Sequence, residues 1–390
     1  MRKHYDVAVI GGGLMGLSTS YYLTKRGKRV LLVEKNELGN GASGACDEMI
    51  LLQSKKPGSL LEMAIESLEM YRSLSAELDT KLDFEVRGGM VLIENSAQLK
   101  VMEEFIEGQR RSGLDVEIVD AKTLYQKQPH LRKGMIASTY SPTDAQVYPL
   151  KVMKGFLGKG RALGLEVRRN TEIIELNPKS DHWQMIFSDG TAVESEYVVN
   201  AAGAWASQIG KLVDMKIPIS PVRGQILITE SIPAIGETNA WSAEYIVRKI
   251  KPECSLTTDK RSQELGIGFA ISQSAAGNFL IGSSREKVGY RKDTTLEVIE
   301  RIAQQVIDLF PIFKEVHMIR TIAGLRPATS DGKPILGEVK GKKGFFMAAG
   351  HEGDGVALAP LTGKLIADLI QGKGSSYNLK EFSFERFYHK

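Results

Sequence analysis

Tyr5-Asp-Val-Ala-Val-Ile10-Gly11-Gly12-Gly13-Leu14-Met15-Gly16 is an apolar run that ends in a cluster of glycines. A short apolar run bounded this way predicts a strand buried on both faces within a parallel sheet. The stretch from Leu14 to Arg26 carries small residues on one side, stops at Gly27 and predicts a helix. Val30-Leu-Leu-Val33 predicts a second strand, with Glu34 directly after it. Strand, helix and strand within about thirty residues form the repeating unit of a doubly wound sheet.

Each glycine in Gly11-x-Gly13-x-x-Gly16 has a physical task in a dinucleotide site. Gly11 makes the tight turn, Gly13 lets backbone approach a pyrophosphate, and Gly16 lets helix and strand pack closely. The helix N-terminus, from Leu14 and Met15 onward, adds oriented N–H groups and partial positive charge for phosphates. Glu34 lies about twenty residues on, where a carboxylate accepts hydrogen bonds from ribose hydroxyls and disfavours a 2′-phosphate. The competing reading is a glycine-rich turn with no ligand. The motif alone does not separate FAD from NAD.

Composition narrows the classes. The chain has 390 residues, 42% of them hydrophobic and 25% charged, with a formal charge of +4. That length favours two interleaved domains sharing a large core. So small a charge, without a Lys/Arg block, gives no support to a nucleic-acid partner. No apolar run reaches the roughly 18 residues of a membrane helix. The N-terminus runs straight into a strand, so no leader peptide is expected. Cys46 and Cys254 do not make a disulfide framework, and a cytoplasmic location is expected. Cys254 is expected to be an ordinary loop or core residue.

Periodicity predicts helices over 59–80, 96–112, 120–128, 150–163, 294–309 and 356–370. It predicts strands over 88–93, 165–175, 183–187, 191–199, 226–230, 245–249, 266–270, 278–282 and 344–349, with a hairpin turn at Asp189-Gly190. Nucleotide-binding segments therefore flank a strand-rich, largely antiparallel region. The expected fold is α/β: a Rossmann-type cofactor domain with an inserted, mainly antiparallel (α+β) substrate domain. The expected boundaries are 1–85, 145–215 and 320–390 for the first and 86–144 with 216–319 for the second.

Three further segments bear on the cofactor. They are Gly39-Asn-Gly-Ala42-Ser43-Gly44; Val198-Val-Asn-Ala-Ala202-Gly203-Ala-Trp205; and Ala323-Gly-Leu-Arg326-Pro-Ala-Thr-Ser-Asp331, followed by Gly350-His351-Glu-Gly353-Asp-Gly355-Val356-Ala357. With the first motif, they resemble the flavin amine oxidoreductases, the family of glycine oxidase, sarcosine oxidase and D-amino-acid oxidase. The resemblance runs from Asp6 to about Ile370. The flavin subunits of heteromeric proline and hydroxyproline dehydrogenases are also similar. The resemblance implies non-covalent FAD and places Lys35, Ala42, Ser43, Asp47, Glu48, Met49, Ile173, Ala202, Gly203, Trp205, Arg326, Gly350, His351, Gly353, Gly355, Val356 and Ala357 around it. It also implies that the helix beginning near Val356 points its N-terminus at the flavin, where its partial charge stabilises the reduced, anionic ring.

Amine oxidation asks little acid–base apparatus of a protein, which must mainly orient a substrate and secure its free amine. An arginine suits a substrate carboxylate because its planar fork grips both oxygens. Arg326, in Gly-Leu-Arg-Pro, matches the family's carboxylate-binding arginine; the structural alternative pairs it with Asp331 or Glu338. Tyr245 matches an active-site tyrosine, with a core strand tyrosine as its alternative. Arg223 is expected to be structural. The chain departs from glycine oxidase at Gly353, where that enzyme has a second arginine, and at Cys46-Asp47-Glu48 before Met49, where it has only small residues before its methionine. Glu48 is therefore expected to meet flavin, substrate amine or a proton, unless it is only a hydrogen-bonded structural group.

The implied activity is FAD-dependent oxidation of the C–N bond of an amino acid or N-alkyl amino acid, with the imine hydrolysed in water. Electrons go to O2 or to a partner subunit or quinone, in a homo- or hetero-oligomer. A non-catalytic FAD-binding assembly protein and an NAD-linked dehydrogenase are the readings set against it.

Overall fold

A computed structural model describes residues 3–251 and 259–388. Cys254 lies outside the described residues. The opening unit is β1 (Lys3–Ile10), α1 (Leu14–Lys25) and β2 (Val30–Val33). β1 and β2 pair in parallel, Val7 opposite Val30 and Ile10 opposite Val33. Val7, Val9, Leu31 and Leu32 are completely buried. Each such side chain contributes roughly 1.5–3 kcal/mol by leaving water. This explains why an unbroken apolar run, rather than an alternating one, marks both strands.

β1 and β2 lie in an eight-stranded sheet. On one side β1 pairs in parallel with Ala192–Asn200. That long strand forks: its start pairs with Trp183–Phe187 and its end with Phe345–Ala349. The strand Phe345–Ala349, from the C-terminal part of the chain, thus enters the sheet one strand away from β1. The helix Gly355–Ile370 packs across α1. A Cβ at Gly363 would lie 2.1 Å from Ser18 Oγ, so the small residues on both helices set a close crossing. Ser18 Oγ also donates to Ala359 O at 2.8 Å.

The second sheet also has eight strands, in the order Met318–Ala328, Ser220–Ser231, Asn278–Gly282, Ala270–Gln273, Asn239–Ser242, Gly89–Ile93, Ala137–Ser141, Glu117–Asp120. All its pairings are antiparallel except that of Asn239–Ser242 with Gly89–Ile93. A three-stranded sheet of Met49–Ile50, Ala145–Gln146 and Glu85–Val86 is separate from both. Among the described residues no helix is long and apolar enough to cross a membrane.

The single strand expected over 165–175 is two, Glu166–Arg168 and Ile173–Pro178, and the structure departs from expectation in three further places. Residues 245–249 are helical, within Ala243–Ile250, where a strand is expected. Ser242 Oγ caps that helix by accepting from Glu244 N at 3.1 Å, and Ala243, Ile246 and Val247 are its buried positions. Three- and four-residue spacing outweighs the β-branched composition there. The strand expected over 266–270 begins only at Ala270, because Gly266 turns the chain at φ +60°. The long strand Met318–Ala328 pairs with Ser220–Ser231 in the second sheet, whereas the boundary drawn from sequence put 320 onward with the first.

Candidate active site

A cavity of about 390 Å3 runs between the two large sheets, a size typical of small-molecule and cofactor sites. Gly11, Gly13, Glu34 and Ile173 line one end, and Tyr245 and Arg326 the other.

The first end is made by backbone. Gly11 has φ +112°, and its N–H donates to Val33 O at 2.8 Å. A Cβ on Gly11 would lie 2.5 Å from Ala201 O, and one on Gly16 only 1.8 Å from Gly11 O. Gly16 therefore packs behind the turn and does not line the cavity. Leu14 N donates to Ser43 Oγ at 3.0 Å, which joins the helix start to the Ala42–Gly44 turn. Glu34 Oε2 accepts from Gly12 N at 2.7 Å and Oε1 from Asn36 N at 2.9 Å, so its carboxylate is fixed at the end of β2. A carboxylate retains further lone pairs for ribose hydroxyls. Lys35 Nζ lies 5.0 Å from the Trp205 ring centre.

The middle of the cavity is lined by Met15, Ala42, Ser43, Ala202, Gly203, Trp205, Gly350, His351, Gly353, Gly355 and Val356. Helix Gly355–Ile370 starts here with no side-chain cap, so its first N–H groups are available to a ligand. His351 is buried; its Nε2 bonds Thr362 Oγ1 at 3.1 Å, while Nδ1 has no partner. Burial pulls its pKa down to about 4, so the ring is neutral.

Side chains make the other end. Arg326 Nη1 donates to Ser284 O at 2.9 Å and Nη2 to Ser283 Oγ at 2.6 Å. A Cβ on Gly224 would lie 2.1 Å from Nη1, so that glycine gives the guanidinium its place. Neither proposed structural partner holds it: Asp331 pairs with Arg386 at 2.7 Å, and Glu338 accepts from Gly344 N at 2.7 Å. Burial and the nearby Arg285 lower the Arg326 pKa. Arg285 Nη1 donates to Tyr245 Oη at 3.3 Å, and Arg285 is ion-paired with Glu352. Asp47 and Cys46 also line this end. Burial raises the Asp47 carboxyl, with Arg326 opposing the rise, and pushes the Cys46 thiol up to about 12. The thiol is thus protonated and a weak nucleophile at neutral pH.

Three more expected residues do not line the cavity: Glu48, Met49 and Ala357. Glu48 is buried at φ +66°, and its charge neighbours outside the loop are Asp83 and Lys151. That left-handed turn separates it from Asp47. Met49 is committed to the small sheet opposite Gln146. Ala357 is buried in its helix. Arg223 is buried against Glu286 at 2.6 Å and Asp293 at 3.1 Å, a structural role. Sequence reasoning missed Arg285, which follows Asn278–Gly282 outside any motif. It also missed Glu352, visible only as a departure beside Gly353.

The donor set fits a flavin dinucleotide. The turn at Gly11 excludes any Cβ, a bare helix start faces the cavity, and the buried His351 Nδ1 lacks a partner. The family model described as "DAO: FAD dependent oxidoreductase" matches residues 6–369. Glycine oxidase from Bacillus licheniformis is 28% identical over 380 residues, 95% of this chain and 94% of the relative. Hydrogen cyanide synthase subunit HcnC from Pseudomonas protegens is 25% identical over 429 residues, covering 99% and 97%. The crystal structure of glycine oxidase from Geobacillus kaustophilus superposes with a TM-score of 0.88 at 25% identity, covering 98% of this chain and 99% of that one.

Proposed function

The chain belongs to the DAO family of FAD-dependent oxidoreductases, and on that premise we propose that it oxidises the C–N bond of an amino acid or N-alkyl amino acid. Glycine, sarcosine, a proline-like acid or a D-amino acid is the substrate class. FAD is the cofactor, and bound in the cavity it supplies a two-electron acceptor for hydride. Gly11, Gly13, Leu14 and Met15 would hold its phosphates, Glu34 a ribose, and Ala202, Gly203, His351 and Val356 its remaining length.

The observation that carries the reading is Arg326. Its guanidinium lines the cavity with only neutral partners, a carbonyl and a hydroxyl. A cation with no carboxylate bonded to it, in a partly dry cavity, favours an anionic ligand. Tyr245, already bonded to Arg285, presents a hydroxyl beside it. Together they support an orienting grip on a substrate carboxylate. That grip fixes the α-carbon relative to the rest of the cavity, which is how positioning lowers a barrier. The imine product then hydrolyses in water.

Electrons pass to O2 or to a partner subunit, and the likeness to an HcnC subunit supports the second route. The low cysteine content supports a cytoplasmic setting. The test is anaerobic mixing of the FAD-loaded protein with glycine, sarcosine, D-alanine and L- and D-proline. Bleaching of the flavin by at least one is expected. Failure by all, alongside bleaching by dithionite, removes the reading in favour of a non-catalytic flavoprotein. Peroxide formed in air assigns the oxidase form; fast dye reduction without peroxide assigns the dehydrogenase.

A further inference from the structure

A carboxylate grip leaves the other half of an amino acid, its amine, without a named partner. Three carboxylates line the Arg326 end of the cavity: Asp47, Glu352 and Asp354. Glu352 is taken by Arg285. Asp354 is taken by the buried Lys55, 3.0 Å away. Asp47 differs. Its Oδ1 accepts one long bond, 3.4 Å, from Met49 N, and its own carbonyl is held by Ser272 Oγ at 2.7 Å. The backbone is thus pinned from the second sheet while the carboxylate stays available. Arg326 and Asp47 are close enough to act on each other's ionisation. A cation and an anion lining one cavity complement a bound zwitterion.

We infer that Asp47 is the catalytic residue that holds the substrate's amine and accepts its proton, an assignment that rests on the carboxylate grip proposed for Arg326. The ammonium N–H bond breaks, its electron pair stays on nitrogen, and the proton forms an O–H bond on Asp47. The freed lone pair is what a developing C–N double bond requires. The proton leaves to solvent after the product departs. An ordinary surface carboxylate is a poor acceptor for an ammonium proton, because their pKa values lie far apart. Burial narrows that gap for Asp47, against the opposing charges of Arg326 and Lys55. Cys46 and Glu48 flank it in the chain, and Arg285, Tyr245, Glu352, Asp354 and neutral His351 line the same cavity. None of these is a free base at that end.

The test compares FAD-loaded wild type, Asp47→Asn and Asp47→Glu. Ligands are sarcosine or L-proline, whichever bleaches the wild type, and their ether isosteres methoxyacetate and tetrahydro-2-furoate. The isosteres keep the carboxylate and lack the amine. Binding is read from the perturbed flavin spectrum, and reduction from anaerobic bleaching across pH. In Asp47→Asn the isostere should bind as in wild type. Its amine reduction should slow by about a hundredfold at neutral pH, and the acid limb of the profile should move up by about one pH unit or more. Asp47→Glu should recover part of the rate. Equal loss of isostere binding, or an acid limb that does not move, overturns the role of Asp47 while leaving the carboxylate grip standing. Absence of any amine-driven bleaching in wild type overturns both.

Discussion

The two ends of the cavity are built on different principles. At the Gly11 end the ligand-facing atoms are mostly backbone, placed by one continuous βαβ unit. At the Arg326 end they are side chains from separate places: Asp47 from a loop, Tyr245 from a capped helix, Arg326 from a strand of the second sheet, Arg285 from the segment just after another of its strands, Glu352 from a turn. A backbone site tolerates almost no substitution, because the chain path itself is the site. A side-chain site keeps its shape when one member changes and alters what it binds. The family can thus retain one cofactor while varying the amine.

The strongest way to break this comparison is to put a methyl group into the backbone end. In Gly16→Ala the new Cβ would meet Gly11 O at 1.8 Å, backbone against backbone, with no flexible side chain to yield. Overpacking of this kind costs about 1–3 kcal/mol or more, and α1 must move off the turn to relieve it. The expected outcome is a colourless purified protein with a lowered Tm, checked by flavin content and thermal unfolding. Full flavin occupancy in Gly16→Ala would contradict the backbone account.

A smaller effect, confined to turnover, is expected at the other end. Arg326→Lys keeps a positive charge and loses the planar fork. Truncating one partner of a desolvated charge pair costs roughly 2–5 kcal/mol, which corresponds to about 1.5 to 3.5 orders of magnitude in kcat/KM. Flavin content should remain at the wild-type level. Arg285→Lys should cost less, since Arg285 already spends its charge on Glu352 and sits partly in solvent. Steady-state kinetics of the two variants, with flavin content measured in parallel, separates carboxylate grip from cofactor retention. Equal losses in both would mean that the two arginines share one anion.

How much was legible follows the same division. Gly11, Gly13 and Glu34 have fixed spacing because one local unit imposes it, so the motif could be read directly. The apolar runs at Val7–Ile10 and Val30–Val33 announced the sheet for the same reason. Arg326 was legible through resemblance, and its lack of a carboxylate partner needed coordinates. Arg285 left no local trace, since its place depends on the long-range pairing of Asn278–Gly282 with Ser220–Ser231. Tyr245 lines the cavity from a helix where a strand was expected, because β-branched neighbours masked the helical spacing that Ser242 initiates. Asp47 and Glu48 were next to each other in sequence, and only the φ of +66° at Glu48 decided which one faces the cavity.

That last distinction yields the mildest prediction. Glu48 is buried without a hydrogen bond to its carboxylate among those described, and burial raises its pKa to about 7, with Asp47 and Asp83 adding to the rise and Lys151 opposing it. In the unfolded chain the group gives up its proton near the ordinary 4.5. Between those values the folded state holds more protons than the unfolded one, so stability falls as pH rises through the window. Above about pH 7 the charged, buried carboxylate carries its full penalty, of order 1–3 kcal/mol. Glu48→Gln removes the charge at nearly constant volume. Its Tm should exceed that of wild type at about pH 8 and match it at about pH 4, where both side chains are neutral. Its kcat/KM should stay at the wild-type value, because Glu48 does not line the cavity. Loss of turnover in Glu48→Gln at neutral pH, with flavin retained, would erase the difference between the two neighbouring carboxylates and return Glu48 to the chemistry.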